Sequence, residues 1–155
     1  MERLLTSINY SFSESFRVSA KQAYRWCTSY DPNDLKLMHE NGRRKIKQRS
    51  KDAFILIDNF KKENRTISKT KLVRLYPREM SWTNTYLSGP ERYSQFLYKI
   101  VSEGKNKSRL DFVGLQLEPK DMTDKEAAAF ARSVRRKDSH SWKLLAKAME
   151  QELLK

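Results

Sequence analysis

The sequence predicts an α+β fold, in which seven strands form a sheet with one face against a single long C-terminal helix. Three observations predict it. The segment from Thr123 to about Leu154 contains no Pro or Gly and is amphipathic throughout. Between Arg43 and Glu118, turn-forming residues recur every eight to twelve positions, the spacing of an antiparallel meander. The first segment, Thr6 to Val18, alternates with period two: Ile8, Tyr10, Phe12, Phe16 and Val18 share one side.

In chain order, that half-buried strand comes first. Ser19 then caps a short helix, Ala20 to Cys27, and Asp31-Pro32 opens a second one through Leu37, with Asp as N-cap and Pro at the first helical position. Asn41-Gly42 closes the pair. Six strands follow, expected at Arg43 to Ser50, Ala53 to Phe60, Arg65 to Tyr76, Met80 to Leu87, Arg92 to Ser102 and Ser108 to Glu118. Lys51-Asp52, Lys61 to Asn64, Pro77 to Glu79, Ser88-Gly89-Pro90 and Glu103 to Lys107 separate them. The last helix opens on a capping box, Thr123 with Glu126. Its length of about 45 Å at 1.5 Å per residue suits a sheet better than another short helix.

Strand parity assigns faces. Met80, Trp82, Asn84 and Tyr86 lie on one side, with Phe96, Tyr98 and Ile100, then Leu110, Phe112 and Gly114, and this side is expected to meet the helix. Gly114 inside a strand marks a bulge or a close backbone approach. On the helix, Ala127, Phe130, Ala131, Val134, Ser141, Trp142, Leu145, Met149 and Leu153 form the apolar side, opposite Arg132, Arg136, His140, Lys143 and Lys147.

Composition narrows the class. A chain of 155 residues is read as one domain, 1–155, and its net charge of +13 favours an acidic partner or surface. One cysteine, Cys27, excludes an internal disulfide framework and fits a reducing compartment. No apolar run reaches a membrane span, and Met1 to Tyr10 lacks the apolar core of a signal peptide, so a cytoplasmic setting is expected. Two histidines and one cysteine leave no metal site of the usual spacing, and four glycines leave no phosphate loop. Neither a metal nor a cofactor is expected.

Four local stretches stand out within that order of elements: Phe16-Arg17-Val18-Ser19-Ala20 leading to Trp26, Tyr30-Asp31-Pro32, Ser94-Gln95-Phe96-Leu97-Tyr98 and Ser108-Arg109-Leu110-Asp111-Phe112. Together with the order itself they resemble the SRPBCC superfamily of helix-grip proteins, which includes START domains, birch-pollen-allergen-like proteins and polyketide cyclases. The resemblance spans Ser7 to about Leu153. It implies a curved seven-stranded antiparallel sheet gripping the helix, with a cavity for lipids, sterols, polyketides or other apolar ligands between them. It implies no catalytic residue, since the family shares no catalytic motif.

The leading expectation is a module that binds or carries an apolar or amphipathic small molecule. Trp82, Tyr86, Phe96, Tyr98, Phe112, Phe130, Val134 and Trp142 would supply walls, and Asn84 and Asp138 would orient a polar head. The same aromatic stripes equally suit a filled core. Asp138 stands in the middle of the helix's apolar side, where a carboxylate is either a polar anchor, the partner of an Arg on the sheet, or exposed beyond the sheet's edge. An enzymatic alternative, cyclase- or aromatase-like, would use Asp138, Asp58 or a Tyr to move a proton. A third reading rests on Arg43, Lys45, Lys47, Arg49 and Lys51 at every odd position of one strand, with Arg65, Lys69 and Lys71 continuing odd parity. Such a basic face suits an anionic membrane or nucleic acid, or serves as a solvated exterior.

Overall fold

A computed structural model describes residues 5–31 and 33–154. Its elements run β1 (Thr6–Phe16), α1 (Ala20–Cys27), α2 (Asp34–Leu37), β2 (Gly42–Ser50), β3 (Ala53–Lys62), β4 (Arg65–Tyr76), a 3-10 turn (Pro77–Glu79), β5 (Ser81–Tyr86), β6 (Gln95–Gly104), β7 (Lys107–Glu118) and α3 (Asp124–Leu153). The strands form one antiparallel sheet in the order β1-β7-β6-β5-β4-β3-β2. The expected seven strands, two short helices and long C-terminal helix are all present.

Two of the three predicted helix starts have the expected chemistry. Ser19 with Gln22, and Thr123 with Glu126, each form a complete capping box. The second short helix differs. It starts at Asp34 behind Asn33, which makes no side-chain cap bond; Pro32 lies outside the described residues. Asp31 instead accepts a bond from the Asn33 backbone N–H at 2.8 Å, shaping the turn ahead of the helix rather than capping it. β6 also starts later than the alternation suggested, because Gly89 and Tyr93 take left-handed backbone conformations that hold 88–94 as a turn.

α3 lies across the concave side of the sheet, against β1 above all. Two apolar clusters fill the space beneath it. One holds Phe16, Val18, Ala23, Leu56, Val73, Trp82, Ile100, Leu110 and Met149; the other holds Ile8, Tyr10, Phe12, Phe96 and Phe112 under Phe130, Ala131 and Val134. Tyr98 and Trp142 touch both clusters. Between Val134 and Trp142 the helix carries Asp138-Ser139-His140-Ser141, so its middle turn brings polar side chains to the gap that separates the two cores. Despite that weak helix sequence, α3 runs unbroken.

Gly114 marks a close approach, and the β1–β7 ladder passes it without a bulge: Tyr10 pairs with Gly114, and a Cβ there would stand 2.8 Å from the Tyr10 ring. The bulges lie at Gln48/Ser50 and Ser102/Gly104.

Candidate functional site

The gap between the cores is a cavity of about 210 Å³. Aromatic rings form one side of it. In the sheet register Trp82 pairs with Tyr98, and Tyr98 with Phe112. The Trp82 and Tyr98 rings stack 4.9 Å apart with planes 2° from parallel, and the Phe112 ring meets Tyr98 edge-on at 5.1 Å. Trp142 of α3 closes over Tyr98 at 5.8 Å.

Seven of the predicted residues line the cavity, namely Asn84, Tyr86, Phe96, Tyr98, Phe112, Asp138 and Trp142. Three do not. Trp82 is fully buried behind Tyr98, and Phe130 and Val134 pack into the second core, about two turns and one turn before the polar segment, respectively. Helical periodicity places a residue on a face but not at a height along the sheet.

Asp138 neither pairs with an Arg of the sheet nor projects beyond it. The Tyr10 hydroxyl donates a hydrogen bond to its Oδ2. Burial pushes the Asp138 carboxyl above its ordinary value, with the Tyr10 hydrogen bond opposing that shift. Burial and the Asp138 charge also push the Tyr10 phenol upward. A shorter relay lies deeper: Tyr30 donates to Asn84 Oδ1 at 3.0 Å, and Asn84 Nδ2 donates to the Tyr98 hydroxyl at 3.4 Å.

The opposite wall is ionic, which parity arguments missed. Asp58, with no exposed side-chain surface, accepts Arg44 Nε–H at 2.8 Å on Oδ1. It accepts Arg44 Nη2–H and Lys71 Nζ–H on Oδ2, each at 3.0 Å. Burial pushes Asp58 up, but its bonds to Arg44 and the adjacent Lys71 and Arg44 charges outweigh that and hold it below the ordinary aspartate value. It is therefore a fixed carboxylate, unsuited to the proton transfer considered for it. Asp34 of α2 approaches Arg44 Nη1 at 3.6 Å, and burial, opposed by Arg44, pushes its carboxyl up to about 6.

Lys69 and Lys71 were expected on the basic exterior, and the register corrects this. Residues facing one another across the β3–β4 hairpin have opposite parity, Lys62 with Arg65 and Asp58 with Lys69, so the odd residues of β4 share the concave side with the even residues of β3. Both lysines line the cavity. Their ammonium groups flank one ring, Tyr86, at 5.8 Å and 5.1 Å from its centroid. Lys69 also bonds Glu91 at 3.0 Å, and Glu91, Glu40, Phe60, Lys69 and Lys137 are shared with a second, adjoining hollow.

Arg43, Lys45 and Lys47 are exposed and face away from Arg44, on the convex side. Arg49 is the extra residue of the β2 bulge and Lys51 sits in the following turn, so the strict alternation ends at Lys47. Arg132, Arg136, His140, Lys143 and Lys147 are exposed along α3. No helix among the described residues is long and apolar enough to cross a membrane.

A curved antiparallel sheet gripping a C-terminal helix around an interior cavity defines the helix-grip fold. No protein-family model matches the chain, and no curated protein is similar to it in sequence. Solved structures share this fold. The Zhui aromatase/cyclase from Streptomyces sp. R1128 superposes with a TM-score of 0.77 at 9% identity, covering 96% of each chain. Norcoclaurine synthase from Thalictrum flavum, solved with dopamine and hydroxybenzaldehyde, gives 0.71 at 11% identity over 97% of this chain and 88% of the other. A START superfamily protein from Mycobacterium smegmatis gives 0.65 at 18% identity over 94% and 97%.

Proposed function

We propose that this protein binds an amphipathic small molecule with an apolar body, in the class of lipids, sterols or polyketide-like compounds, and acts as its carrier or sensor. The observation that carries this reading is the cavity held open between two well-packed cores, with an aromatic wall facing an ionic one, which suits a molecule with an apolar body and a polar end. Withdrawing apolar ligand area from water contributes about 25 cal/mol per Å², enough for affinity without covalent chemistry. Neighbours of the same fold support the reading, one of them solved with dopamine and hydroxybenzaldehyde bound.

Native mass spectrometry of gently purified protein, followed by organic extraction, tests it. The expected result is a stoichiometric organic adduct that is released on denaturation. A bare-chain mass, together with a melting temperature that no member of a panel of fatty acids, sterols and aromatic polyketides shifts, overturns it.

A further inference from the structure

We infer that the ligand's polar end is a carboxylate, received by the ammonium groups of Lys71 and Lys69 beside the Tyr86 ring; this rests on the cavity being the ligand site. An ammonium has three N–H donors. Lys71, with only 11% of its side chain exposed, gives one to Asp58 Oδ2. That carboxylate already takes two bonds from Arg44, so Lys71 is the second cation on one anion. Lys69 gives one N–H to Glu91. The Tyr98 hydroxyl accepts from Asn84 but donates to no described residue, and the Tyr86 hydroxyl has no described partner. Burial holds both phenols above their ordinary value, so they stay donors; it also pulls the Lys71 ammonium below its ordinary value, with the Asp58 charge opposing that shift.

Of the carboxylates that line the cavity, Asp34 is directed at Arg44 and Asp138 at Tyr10, Glu40 also lines the adjoining hollow, and Glu91 stands at this wall with one oxygen on Lys69. Lys71 Nζ and the Tyr86 and Tyr98 hydroxyls nevertheless keep N–H and O–H donors without a described acceptor, in a place where an unpaired ammonium N–H is costly. A group with acceptors only, two oxygens and one negative charge answers that set, and the flat rings of Phe96, Phe112, Tyr98 and Trp142 answer a planar apolar body. The ligand class is an organic acid with an aromatic or fused-ring body.

Isothermal titration of the intact chain with naphthoate and with naphthamide, near neutral pH, separates charge from shape. The expected result is naphthoate bound at least about tenfold tighter than the amide, as a charge-assisted bond requires. Lys71→Met should erase most of that preference, and Lys71→Arg should keep it. Equal affinity of the wild-type chain for acid and amide overturns the carboxylate and leaves the cavity reading standing. Failure of the folded wild-type chain to bind either probe overturns the aromatic acid as ligand, while the cavity reading falls only with the bare-chain mass and the unshifted panel. The wild-type comparison decides the matter even if Lys71→Met does not fold.

Discussion

The Tyr10 hydroxyl donates a hydrogen bond to Asp138 Oδ2, joining the first strand to the middle of the last helix across the cavity. Because burial outweighs that bond and raises the Asp138 carboxyl, the folded chain holds this proton more tightly than the unfolded chain. The resulting stability is complete below the ordinary aspartate value and is lost as pH rises through the raised folded value. Asp138→Asn keeps an acceptor for Tyr10 and removes the titration. Urea unfolding across a pH series should show the variant gaining stability relative to wild type as pH climbs through that window; parallel profiles would sink the assignment. Tyr10→Phe strips the buried carboxyl of its donor and should cost about 1–3 kcal/mol.

The Arg44–Asp58–Lys71 cluster has the opposite pH signature. Asp58 is held below its ordinary value, so its contribution is present above the unfolded aspartate value and is lost as pH falls through the lowered folded one. Arg44→Met leaves a fully buried carboxylate with Lys71 alone and should destabilise by about 3–5 kcal/mol in chemical unfolding. Arg44→Lys should recover only part of this, because one ammonium cannot reproduce the two-pronged contact to both oxygens. Full recovery by Lys would show that the fork geometry is immaterial.

Gly114→Ala tests how tightly the Tyr10 ring is seated. The added Cβ would lie 2.8 Å and 2.9 Å from two Tyr10 ring carbons and 3.1 Å from Phe112. Neither ring can retreat easily, since Tyr10 is tied to Asp138 and Phe112 is stacked on Phe12 at 4.6 Å. Overpacking of this kind costs about 1–3 kcal/mol. A variant with unchanged stability and an unchanged Asp138 titration by NMR would mean the ring is free to move.

The architecture was legible because its signals are local. Ser19 and Thr123 cap helices through side chains three residues away, and alternation marks strands without reference to partners. The aromatic half of the cavity followed from the same alternation, since Phe96, Tyr98 and Phe112 stand at even positions of β6 and β7, with Tyr98 facing Phe112. The ionic half did not. Placing Lys71 inside requires carrying parity across the β3–β4 hairpin, where facing residues change from even to odd, and then accepting a buried cation whose anion, Asp58, sits thirteen residues away. Arg44 was hidden in the same way, as an even residue between the exposed Arg43 and Lys45. Trp82, Phe130 and Val134 show the other limit: burial on the right face puts a side chain in the core or on the cavity wall according to heights that no periodicity encodes.

The two sets of lysines now separate cleanly into a test of that register. Lys45 and Lys47 are exposed on the convex side, opposite Ile57 and Ile55 of β3, and neither forms an ion pair with a described residue. Lys45→Glu with Lys47→Glu should change unfolding free energy by no more than about 0.5 kcal/mol each, as exposed positions without partners do. The same double variant should bind a cavity probe as wild type does, since the sheet stands between those side chains and the cavity. Lys71→Glu carries half that change of charge but places a second carboxylate against Asp58, in a site with 11% of the Lys71 side chain exposed. It should destabilise by several times as much, because like charges out of water are poorly screened. Thermal melts of the two variants side by side settle it: similar losses would mean that β4 is slipped by one residue, with Lys71 outside and the ionic wall misplaced.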